Sequence, residues 1–98
     1  MRQLQSGVYR LYDEASGQGF VGFSRNLAGI KKRLLFELKL NACPYTRLQR
    51  AYAEHGGLTF EVLQTFEPGA DMTDEELDAH LAALVVRFAQ IHNATPIQ

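Results

Sequence analysis

The chain's reactive side chains are few, and their neighbours narrow what they can do. Cys43 is the single cysteine. No basic residue lies within two positions of it, so nothing adjacent would lower its pKa and a catalytic thiol is not expected. His55, His80 and His92 have no partner at metal-ligand spacing, and no CxxC or Cys/His cluster offers a zinc site. They read as structural residues. The strongest chemical signal is Lys31-Lys32-Arg33, three consecutive cations. They suit contact with phosphate, and the plain alternative is a solvated helix face. Gln49-Arg50 could touch a polyanion from further along the chain.

The net charge of −1 over 98 residues argues at first against nucleic acid. Its distribution argues otherwise. Residues 1–50 carry nine bases against three acids, a net of +6, and residues 51–98 carry one base against eight acids, a net of −7. A polyanion responds to the local field and not to the sum. Either the two halves neutralise each other in the fold, or one basic face stays open.

Length and composition imply one domain with one core, about residues 6–91 and a frayed tail over 92–98. The chain has 46% hydrophobic and 21% charged residues, ordinary values for a globular domain. One cysteine excludes an intramolecular disulfide. No apolar h-region opens the chain, and the longest apolar run, Leu81–Val86, is too short to cross a bilayer. A cytoplasmic protein that does not engage a membrane is expected.

The elements that must position these residues follow from periodicity. Gly7–Asp13 alternates apolar and polar residues as a half-buried strand, Glu14–Gly19 supplies turn residues, and Gly19–Ser24 returns, which together make a hairpin. Leu27, Ile30, Leu34 and Leu38 recur at helical period after the N-cap candidate Asn26. Pro44 ends that helix. A second helix runs from Tyr45 to His55 and stops at Gly56, with Leu48 and Tyr52 on its buried side. Leu58–Phe66 alternates as a third strand. Thr73-Asp-Glu-Glu76 fits a capping box for a last helix with the stripe Leu77, Leu81, Leu84, Val85, Phe88 and Ile91. The order ββααβα defines a small α+β domain with a three-stranded sheet flanked by helices.

Two tripeptides narrow this order. Gly7-Val8-Tyr9 lies on the first strand and Phe20-Val21-Gly22 on the second, ten residues apart. Downstream come Ser24, Asn26-Leu27, Leu48-Gln49-Arg50-Ala51-Tyr52, His55-Gly56 and Phe60-Glu61-Val62-Leu63. The series resembles the GIY-YIG nuclease superfamily over roughly residues 6–88, and in particular its homing endonucleases.

The resemblance implies metal-dependent hydrolysis of a DNA phosphodiester. In that family the first-strand tyrosine is the general base or water positioner, supported by the second-strand tyrosine. An arginine on the first helix faces the phosphate, and a glutamate on the last helix holds Mg²⁺ or Mn²⁺. Such groups stabilise the charge that gathers in the transition state. Tyr9 keeps the first position, and Phe20 stands at the second without its hydroxyl. Ile30 stands where the arginine belongs, eight residues after Gly22. Arg33, one turn on, is the replacement to test, and Asp78, after Leu77, is the metal ligand the frame selects. Ser24, Arg25, Lys31, Lys32 and Arg50 are the residues expected to touch nucleic acid, Ser24 having a cap role as its alternative. Three functions follow: a weak nuclease, a non-cutting domain that binds DNA or RNA, and a protein-interaction module that could pair as a homodimer.

Overall fold

Alternation in Ser6–Tyr12 (β1) sends Val8 and Arg10 to one face of the sheet and Tyr9 and Leu11 to the other. β1 pairs antiparallel with Gly19–Ser24 (β2), Tyr9 opposite Gly22 and Leu11 opposite Phe20. It also pairs antiparallel with a later strand, Thr59–Phe66 (β3), across a register shift between Val8 and Tyr9. The computed structural model describes residues 5–97; Arg2 of the basic half lies outside them.

Helices cover both faces. On the Tyr9 face lie Leu27–Lys39 (α1) and Thr46–His55 (α2), whose Leu27, Leu34, Leu38, Leu48 and Ala51 form one buried cluster with Tyr9, Leu11 and Phe20. On the other face Asp74–His92 (α3) buries Val85 against Val8 and Val21, with Leu84 and Phe88 beside them. Each fully buried aliphatic side chain contributes about 1.5–3 kcal/mol. Capping fixes where the helices start. The Asn26 side chain accepts from the Gly29 amide at 3.0 Å, and Thr73 and Glu76 close a reciprocal capping box at 3.1 Å in each direction.

The sheet has four strands, not three, in the order β3-β1-β2-β4, and it is mixed. The fourth, Thr95–Pro96 (β4), comes from the segment expected to fray. It lies parallel to β2, Thr95 beside Phe20 and Pro96 beside Val21. Two residues are too short to show a strand period in sequence, and proline sits acceptably on an edge strand. What holds them is tertiary: α3 ends at Asn93 in the left-handed conformation, which turns the chain back, and the Ile97 amide donates to the Val21 carbonyl at 2.8 Å. Ile91 is a second correction. It is 62% exposed, outside the stripe that Leu77, Leu81, Val85 and Ala89 bury.

Candidate active site and basic face

Tyr9 occupies the centre of the sheet, 1% exposed, and stacks on Phe60 at 5.1 Å between ring centroids with planes 16° apart. Its phenol crosses the neighbouring strand at Gly22, where a Cβ would approach Oη to 2.7 Å. Burial, reinforced by Tyr45 and Cys43, pushes the Tyr9 pKa well above the ordinary phenol range. That direction is unfavourable for a general base, which works best with a pKa near the operating pH. Phe20 lies on the same face, 6% exposed. Its missing oxygen is therefore absent from a largely buried position at the edge of a cavity.

The expected replacement cation pairs with a glutamate of its own helix. Arg33 is 67% exposed and turns toward Glu37, Nε to Oε1 at 3.5 Å. This is an ion pair without hydrogen-bond geometry, and Glu37 Oε1 stays buried and unbonded. Lys31 lies near the tyrosine's surroundings, its Nζ 5.8 Å from the centroid of the Phe60 ring that stacks on Tyr9. Ile30 packs partly buried against the Tyr9 cluster. An apolar residue there closes the core where a guanidinium would need solvent or an anion.

Asp78 is 42% exposed in its side chain and accepts a guanidinium: Arg25 Nε lies 3.4 Å from its Oδ1, and Arg25 Nη1 lies 2.7 Å from Asp74 Oδ2. Two expected roles thus meet each other, since Arg25 stands among the expected nucleic-acid contacts and Asp78 is the expected metal ligand. The helix that carries Asp78, α3, packs its Val85 on the sheet face opposite Tyr9. No group of three or more His, Cys, Asp or Glu side chains suited to a metal occurs among the described residues. The carboxylate present is one methylene shorter than the glutamate of the resembling family, and it shares the single Arg25 guanidinium with Asp74, so Asp78 alone is a poorer fit to Mg²⁺ or Mn²⁺ than that glutamate.

The remaining expected residues divide between scaffold and surface. Ser24 is spent locally, its Oγ donating to the Asn26 carbonyl and accepting the Asn26 amide, both at 3.0 Å. Gln49 bridges the α1–α2 connection, accepting from the Cys43 amide and donating to the Leu38 carbonyl, both at 3.1 Å. Burial raises the Cys43 pKa, against a thiolate role. His55 sits 3.3 Å from Asp13, His80 against the Phe66 ring, and His92 3.2 Å from Arg10. By contrast Lys31, Lys32, Lys39, Arg47 and Arg50 are exposed, and among the described residues none has a carboxylate within ion-pair distance. Among the described residues, Lys or Arg of the basic half pairs with acids of the other half at Arg25 with α3 and at Arg10 with Glu61, 2.9 Å apart. The outer surface of α1 and α2 stays basic.

Tyr45 is a neighbour of the Tyr9 cluster that sequence patterns do not single out. It lies at the N-cap of α2 without making a side-chain cap, packs against the Tyr9 cluster, and borders a cavity with Phe20. The available signal is an aromatic residue where helix starts favour Ser, Thr, Asp or Asn.

No family model and no curated protein matches the sequence. Solved structures share its fold. The catalytic domain of the homing endonuclease I-TevI aligns with a TM-score of 0.73 at 17% identity, over 95% of this chain and 98% of that one. An alanine variant of the same catalytic domain aligns at 0.70 and 18%, over 92% and 86%. The chain has the α+β fold of a GIY-YIG nuclease catalytic domain.

Proposed function

We propose that this domain binds DNA through the outer surface of α1 and α2 and does not cut it. The observation that supports binding is the set of five exposed cations, Lys31, Lys32, Lys39, Arg47 and Arg50, that lack acidic partners among the described residues. Fixed unpaired charge is what condensed counterions exchange for, and their release drives association with a phosphate backbone. The likeness to a homing endonuclease catalytic domain agrees with DNA as the polyanion. Against cutting stand the buried Tyr9 phenol, the apolar Ile30, and the ion pair that engages Asp78.

The test is incubation of the purified protein with labelled single-stranded, duplex and branched DNA, with Mg²⁺, Mn²⁺ or chelator, across a salt series. Binding that weakens steeply with salt, falls in a Lys31→Glu/Lys32→Glu variant, and leaves every substrate intact is the expected result. Metal-dependent cleavage that disappears in Tyr9→Phe overturns the non-cutting reading. Absence of binding at low salt overturns the whole proposal.

A further inference from the structure

Beside Phe20 a cavity of about 220 Å³ opens between the start of α2 and the C-terminal strand, bordered by Tyr45, Thr46, Arg47, Leu48 and Ile97. We propose that it takes one unpaired base of a single-stranded nucleic acid, stacked on Tyr45 above Phe20, with Arg47 on the adjoining phosphate. This inference rests on the nucleic-acid-binding reading and names the chemical form that the basic face prefers.

Three features converge on that occupant. The lining combines two aromatic rings with one exposed cation, the pairing by which sequence-tolerant proteins hold single strands: bases stack on the rings and the backbone follows the charge. The volume lies below the ~300 Å³ at which drug-sized ligand pockets begin, so it suits one ring system. The charge at the mouth selects an anionic chain. Arg47 has no ion-pair partner among the described residues, and Arg50 follows one turn along the same helix, equally unpaired. A base paired in a duplex cannot enter without being extruded, which costs a few kcal/mol. The cavity therefore discriminates in favour of single strands.

The experiment titrates the whole protein into an oligothymidylate carrying one 2-aminopurine, and in parallel into a labelled duplex. The protein contains no tryptophan, so the probe's emission reads the base alone. Native protein is expected to quench the probe and to bind the single strand more tightly than the duplex. Tyr45→Leu is expected to lose the quenching and roughly tenfold in single-strand affinity, with duplex affinity unchanged. Tyr45→Phe, which keeps the ring, is expected to retain both, and this guards against a mere folding defect. Arg47→Gln is expected to lower the single-strand salt slope by about 0.7. If native and Tyr45→Leu proteins quench alike, or Tyr45→Leu weakens single strand and duplex equally, the cavity proposal falls while the basic-face reading stands. If N-acetylphenylalaninamide displaces the base at equal concentration, the site is one for an apolar peptide side chain and the proposal is overturned. If native protein binds neither nucleic acid, both readings fall.

Discussion

The Tyr9 phenol lies against the backbone of Gly22, its partner across the β1–β2 ladder, so closely that a Cβ at position 22 would sit 2.7 Å from Oη and 2.8 Å from Cζ. The glycine leaves the room that the ring fills. The other tripeptide works the same way. A Cβ at Gly7 would collide with the Gln64 carbonyl of β3, so that glycine lets the third strand approach. The two glycines are steric requirements of the sheet, and they persist whether or not Tyr9 does chemistry.

Gly22→Ala therefore tests the packing directly. The added methyl meets the phenol and, at 3.3 Å, Ile97 Cδ1, and overpacking of a filled core costs typically about 1–3 kcal/mol. Urea denaturation should show a loss in that range. A Tyr9→Leu/Gly22→Ala double variant should lose less than the sum of the two single changes, because residues in contact couple.

The buried phenol also makes stability depend on alkaline pH. Folding holds the Tyr9 proton more tightly than the unfolded chain does, so the native state binds more protons wherever the unfolded tyrosine has ionised. Stability from this group is intact below the unfolded value near about 10 and falls as pH rises above it. Denaturation midpoints compared at pH 8 and pH 11 should drop more for native protein than for Tyr9→Phe. An equal drop in both would mean that Tyr9 ionises freely in the fold.

Periodicity and capping made the two hairpin strands, three helices and β3 legible in the sequence, because each buries a regular stripe: Leu27, Leu34 and Leu38 on α1, Leu77, Leu81 and Val85 on α3. β4 was not legible, since its two residues are held by β2 and the turn at Asn93 and not by any pattern of their own. The site divides likewise. Tyr9, Phe20 and Ile30 could be placed from their frame in the chain. The partner of Asp78 could not, because Arg25 stands 53 positions away and only the packing of α3 on the sheet brings the two side chains to 3.4 Å. Tyr45 was hidden for the same reason, its approach to the Tyr9 cluster being set by the α1–α2 connection that Gln49 ties down.

Arg25 links the basic and acidic halves at the surface, bridging Asp74 and Asp78 from a side chain that is half exposed. Exposed pairs of this kind contribute about 0–1 kcal/mol and are screened by salt. Arg25→Ala should lower stability by less than about 1 kcal/mol at low ionic strength and by nothing measurable near 1 M salt. A larger loss that salt leaves unchanged would assign Arg25 a packing role.

The C-terminal strand ought to be what keeps Tyr9 dry. Ile97 is half-buried against the Tyr9 cluster, its Cδ1 3.3 Å from where a Gly22 Cβ would stand, and its amide donates to Val21. Full burial of isoleucine makes truncation to alanine cost about 2–5 kcal/mol; a half-buried side chain should lose about 1–2. Ile97→Ala should therefore shift the unfolding midpoint modestly and, by admitting water to the phenol, bring Tyr9 ionisation back toward the ordinary range. Ultraviolet absorbance titration of the native protein, Ile97→Ala, and each in a Tyr9→Phe background isolates that one tyrosine. If Tyr9 ionises at the same pH with and without the Ile97 side chain, α1, α2 and Phe60 alone shield it and the strand has no part in its burial. If the shift appears, two residues of edge strand and the isoleucine after them govern the access of solvent to Tyr9.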